Sequence, residues 1–184
     1  MTGASAPGPL ALVGGDEFGP GNEEHDRFLV DVARRHGGSA YVIATAAREH
    51  PEAAVATAAA WFATLGFDVS ELTLRTRRQA QDAATATLAA RGSVFYLAGG
   101  DPGRVPQVLA GTAAWGAVVA AWRRGAVLAG SSAGAMALGE WTMIRESVPG
   151  DPRRSARAAL RVVPGIAVVP HFDTFGHRWL PSVR

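Results

Sequence analysis

The chain of 184 residues contains no cysteine, which excludes a thiol nucleophile, a thiolate metal site and a disulfide framework. Any covalent chemistry must use oxygen or nitrogen. It also contains no lysine, so all 18 basic side chains are arginine and no Gly-Lys-Ser/Thr phosphate loop exists. The formal net charge is only +2. Arginine clusters at Arg75, Arg77, Arg78 and at Arg153, Arg154, Arg157 are not interleaved with aromatics, so they read as solvated faces and no nucleic-acid partner is expected. Long apolar runs are absent as well. Residues 113–122 fall short of a membrane span, residues 10–13 are too short for a signal-peptide core, and Met1 to Pro9 carries no positive charge ahead of them. The expectation is a soluble, cytoplasmic protein with a flexible tail over residues 1–9 and a single domain over 10–184. A chain of this length buries roughly 70% of its unfolded surface without covalent staples.

What is present is a regular alternation. Apolar runs at 10–13, 41–44, 71–74, 94–97, 126–129 and 166–169 read as strands. Helices are expected from Glu23 to the Gly37-Gly38 stop, over 51–65, 79–90, 105–109 and 115–123, and opening at 133–137. Asn22 is a candidate cap for the first, whose acidic start and basic end suit the macrodipole. The stretch 146–161 is polar and arginine-rich and reads as an exposed loop with a short helix. Strands and helices alternating at this spacing imply a doubly wound, mostly parallel α/β sheet with helices on both faces. In such sheets, sites form beyond the carboxyl ends of the strands.

One strand end carries Gly130-Ser131-Ser132-Ala133-Gly134, a Gly-x-Ser-x-Gly pattern. A serine at a sharp strand-to-helix turn is lifted above the sheet edge, and glycines are needed where a Cβ would clash in so tight a bend. Ser132 is then a candidate nucleophile, and the backbone N–H of Ala133 at the helix start a candidate oxyanion donor. The same five residues also suit a plain βα turn in which small residues let helix and strand approach closely.

His171, at the end of the run 166–169, is placed to take the proton of the Ser132 hydroxyl. Taken alone it reads first as a packed or hydrogen-bonded strand-end histidine. His25, His36, His50 and His177 fall in charged or terminal surroundings and read as surface residues. The glycine-rich stretch Val13 to Gly21 is not a nucleotide loop: its spacing is not Gly-x-Gly-x-x-Gly, and Pro20 lacks the N–H a phosphate would want. Trp115 and Trp179 suit either core packing or an interface in a homodimer.

Taken in order, Leu12-Val-Gly-Gly15, Ile43-Ala-Thr-Ala46, Tyr96-Leu-Ala-Gly-Gly-Asp101, Ala129-Gly-Ser-Ser-Ala-Gly-Ala135 and Pro170-His-Phe-Asp173 resemble peptidase family S51, which contains aspartyl dipeptidase and cyanophycinase. The resemblance spans nearly the whole chain. It implies a flavodoxin-like three-layer fold like the class I glutamine amidotransferase domain, with serine in place of cysteine. By motif it implies Ser132 as nucleophile, His171 as general base, and the backbone N–H groups of Gly100 and Ala133 as oxyanion hole. Gly99, Asp101 and Asp173 enter as supporting or substrate-contacting residues, with no metal and no cofactor.

The implied activity is a serine-type peptidase acting on small peptides or isopeptides, aspartyl ones among them. The alternative is an impaired amidotransferase-like domain that binds a small ligand or partner in the same cleft. In the family the acid that orients the histidine comes from a strand well beyond the histidine motif, and this sequence ends at Arg184. Three expectations follow: a truncated version of a longer protein, which is favoured here; substitution by Asp173 or another nearby carboxylate; or inactivity. The segment Phe172 to Arg178 also lacks the arginine-rich pattern of the cyanophycinase branch.

Overall fold

The computed structural model describes residues 6–145 and 154–182. Five strands form one parallel sheet: β1 (Leu10–Val13), β2 (Ser39–Ile43), β3 (Ser70–Glu71), β4 (Gly92–Leu97) and β5 (Val127–Ser131), in the order β1-β5-β4-β2-β3. The central strands β4 and β5 are mostly apolar and buried along their whole length because both their faces are covered. In β4, Val94 and Tyr96 face one core while Phe95 and Leu97 face the other. Helices α1 (Glu23–His36) and α2 (Pro51–Thr64) supply Leu29, Val30 and Phe62 to the first core. On the opposite face lie α3 (Arg77–Gln81), α4 (Ala83–Ala89), α5 (Arg104–Leu109), α6 (Ala113–Arg123) and α7 (Ala133–Leu138). The expected doubly wound α/β sheet is the fold observed.

Several local expectations are corrected. The helix expected over 79–90 is two helices, because Asp82 takes an extended conformation, ends α3, and caps α4 by accepting from Thr85 N at 2.8 Å. Asn22 does not cap α1 with its side chain. Its amide instead donates to Asp16 O at 2.8 Å and Gly19 O at 3.2 Å, closing the loop after β1. Only Ser70 and Glu71 pair in register with β2; Leu72 N–H still donates to Val42 O at 3.0 Å, and the Leu72 and Leu74 side chains are buried in the core. Gly8, expected in the tail, is held: its N–H donates to Trp122 O and its carbonyl accepts from the Trp122 indole at 2.8 Å. Trp115 is a core residue.

The carboxyl-terminal third departs most. β6 (Trp141–Arg145) and β7 (Arg154–Ala158) form an antiparallel pair with Met143 opposite Ala156, where 154–158 was expected in a loop; residues 146–153 of that expected loop lie outside the described residues. The run 166–169 is not a strand. It makes one bridge, Ala167 to Trp141, and lies between Pro164 and Pro170, which lack the N–H groups a ladder would use. His171 therefore sits on a turn rather than at a strand end.

Candidate active site

The elbow begins with β5. Gly130 and Gly134 allow α7 to dock directly on the strand it follows: a Cβ on Gly130 would lie 2.6 Å from the carbonyl carbon of Gly134, and one on Gly134 would overlap Leu97 O of β4. All six residues of α7 are buried. Ser132, between strand and helix, takes φ 48 and ψ −112, a conformation that costs a side-chain-bearing residue on the order of 1–3 kcal/mol. Its N–H donates to Val13 O at 3.0 Å, which fixes the turn against β1.

The next carbonyl of the same segment holds the histidine. His171 N–H donates to Gly14 O at 2.9 Å. His171 also has positive φ, 50, and its carbonyl accepts from Thr174, Phe175 and Gly176 in a tight turn. The imidazole stacks on Phe175, centroids 4.8 Å apart and planes 19° off parallel. Its Nε2 lies 3.0 Å from Ser132 Oγ. Consecutive carbonyls at the end of β1 thus register a serine and a histidine that are 39 residues apart in sequence.

The Gly99-Gly100 turn follows β4. Gly100 has φ 139, and a Cβ there would overlap Ala46 O, to which Asp101 N–H donates at 2.9 Å. The turn is pressed against the end of β2 in a shape open to glycine. Among the described residues the Gly100 N–H meets no acceptor, and Ala133 N–H, at the first position of α7, has none within its helix. Gly99 N–H is committed elsewhere: it donates to Glu17 Oε1 at 3.0 Å. Asp101 pairs with Arg48, Oδ2 to Nε 3.0 Å, and accepts from Gly103 N–H at 2.8 Å.

Two cavities open on this rim, the larger of them lined by neither Ser132 nor His171. One of about 850 Å³ runs from Asp101, Pro102 and Gly103 to β6 and β7, and Arg48, Arg104, Arg154 and Arg157 all line it. A smaller one, about 410 Å³, lies beside His171 with Asp16 and Asp173 in its wall. Asp173 is exposed, and neither it nor any other carboxylate among the described residues hydrogen-bonds to the His171 ring. No group of three or more His, Asp or Glu side chains converges with metal-binding geometry among the described residues.

Behind the elbow lies Glu17, a residue that no sequence motif marks. Its carboxylate accepts from Ser131 Oγ at 2.7 Å and from Gly99 N–H at 3.0 Å. Tyr96 is buried below, its phenol pushed far above the ordinary value by burial first and by the negative Asp26 and Glu17 second. An acid in a glycine-rich loop carries no signal of such a role; the only clue is its place in the loop that follows β1, whose end faces the elbow.

The arrangement is that of a doubly wound α/β peptidase, with a serine elbow and a histidine at the carboxyl rim of the sheet. The family model described as Peptidase family S51 matches residues 10–179, and the chain belongs to that family. It is similar to the crystal structure of a peptidase from an acI-B1 Actinobacterium, with a TM-score of 0.83 and 25% sequence identity over 97% of this chain and 74% of that one. No curated protein matches the chain. No helix among the described residues is long and apolar enough to cross a membrane.

Proposed function

We propose that the protein is a serine-type peptidase cleaving small peptides or isopeptides, with Ser132 as nucleophile and His171 as general base. The observation that carries this is the 3.0 Å contact of His171 Nε2 with Ser132 Oγ, within reach for proton transfer. In the forward step Ser132 Oγ attacks the scissile carbonyl carbon and its proton passes to His171 Nε2. The oxyanion that forms is held by the N–H groups of Gly100 and Ala133, aided by the positive end of the buried α7 turn. Collapse expels the amine, which takes the proton from His171, and leaves an ester on Ser132. Water then attacks the ester, giving its proton to His171, and the acid is released as Ser132 is reprotonated.

The arginine-lined cavity beginning at Asp101, one residue from the Gly100 donor, supports a preference for peptides with an acidic side chain, aspartyl peptides among them. Intact mass after incubation with a serine-directed phosphonate tests the reading. One adduct on the protein, lost in Ser132→Ala, is expected; no adduct, or an adduct that persists in the variant, overturns it.

A second reading, an impaired domain that binds a small ligand in this cleft, is favoured by one observation: among the described residues no carboxylate meets the His171 ring. In serine triads, losing the orienting acid costs about 10⁴ in turnover. Ligand binding without adduct formation would support this second reading.

A further inference from the structure

The loop between β1 and α1 is built to hold one carboxylate in a fixed place. Asp16 and Phe18 both have positive φ, 56 and 58, so the backbone on either side of Glu17 is sharply turned. Phe18 is anchored in the core against Tyr96 and Phe62, at centroid distances of 4.8 and 5.9 Å. The Asn22 side chain ties Asp16 O to Gly19 O. Between these anchors Glu17 reaches the underside of the site.

Its two oxygens divide between two segments. Oε2 accepts from Ser131, a fully buried residue immediately before Ser132, and Oε1 accepts from Gly99 N–H, immediately before Gly100. A Cβ on Gly99 would stand 3.0 Å from Glu17 Oε1 and 3.4 Å from Ser132 Cβ, so there is little slack between the three. A charged acceptor makes each bond stronger than a neutral one would be.

We propose that Glu17 is a positioning residue for the reaction read above: it ties the elbow that presents Ser132 to the turn that presents the Gly100 N–H. It touches no reacting atom. Its effect is on the distance between nucleophile and oxyanion donor, and a displacement near 1 Å at such a site costs roughly a hundredfold. Gly99 N–H, next to the Gly100 donor, is held toward Glu17. This inference rests on the peptidase reading, and its test separates the two.

The experiment compares the wild type with Glu17→Ala, Glu17→Gln and Ser131→Ala by two readouts: the rate of phosphonate labelling of Ser132, and amide hydrogen exchange in peptides covering 95–101 and 129–135. In Glu17→Ala, labelling is expected to slow roughly tenfold to a hundredfold, with faster exchange in both peptides. Glu17→Gln keeps an acceptor for Gly99 N–H and should recover most of both effects. Ser131→Ala, which removes one of the two bonds, should give a smaller loss, and the double variant Glu17→Ala/Ser131→Ala no more than Glu17→Ala alone. Unchanged exchange overturns the proposal, as does unchanged labelling against faster exchange. If Glu17→Ala does not fold, Glu17→Gln and Ser131→Ala carry the same test, and wild-type behaviour in both overturns it. Should wild-type protein fail to label while exchange rises in Glu17→Ala, the tie stands and the peptidase reading falls.

Discussion

Gly15 lies flat against His171: a Cβ there would overlap the imidazole ring, with Nδ1 only 2.5 Å away. With φ 148, Gly15 also occupies backbone space that other residues rarely adopt. The ring thus has Gly15 and Phe175 as close neighbours.

Gly15→Ala is therefore expected to displace the imidazole and slow labelling of Ser132 by roughly a hundredfold. The loop is at the surface, so the fold should survive. Labelling rate against a urea unfolding curve separates the two effects; a normal rate in a folded variant would show that the ring tolerates the shift.

His171→Gln keeps the side chain's bulk but removes a proton acceptor of suitable basicity. General-base catalysis contributes about 10² to 10⁴ in rate, and a loss in that range is expected for hydrolysis of whichever peptide the wild type cleaves. Turnover within threefold of wild type would assign the base to another residue.

Gly134→Ala places a methyl group into Leu97 O, a backbone atom with no rotamer to escape through. Overpacking of this kind costs about 1–3 kcal/mol, and here, against backbone, the upper end is expected. The urea midpoint reads it. A midpoint equal to wild type would mean that α7 can lift from the sheet without cost.

Arg157, half of a pair of cavity arginines on β7, is exposed on the wall of the larger cavity. Arg157→Gln should raise KM for peptides with an acidic side chain and leave neutral peptides unaffected, with kcat preserved for both. Equal effects on acidic and neutral peptides would remove the charge argument.

Asp26 is buried beside Trp61, whose indole N–H donates to it at 2.7 Å, and its pKa is raised above the ordinary 3.8, chiefly by burial. The folded state then holds the proton more tightly than the unfolded chain. This contribution to stability is fully present below the unfolded value and is lost as pH rises through the folded one. Asp26→Asn retains an acceptor for Trp61 and should flatten the fall in stability between pH 4 and neutrality, measured by urea unfolding at several pH values. An unchanged pH profile would place the titration elsewhere.

The sequence by itself determined the layered architecture and the candidate pair. Apolar strands bounded by glycine turns announce a buried parallel sheet, because in such a sheet both faces of each strand must be apolar. Gly130 and Gly134 announce the elbow, because only glycine fits where α7 meets β5 and β4. Local chemistry was enough for these. It was not enough for β7, whose Arg154, Ser155, Ala156 and Arg157 look like a solvated loop; pairing with β6 makes it a strand, and pairing is a property of two segments. The reverse holds for 166–169, apolar yet without a neighbour to complete a ladder. Only the tertiary structure brought the carbonyls of Val13 and Gly14 to Ser132 and His171, and Glu17 to Ser131 and Gly99. Those contacts join residues far apart in the chain, where no periodicity or spacing records which groups will meet.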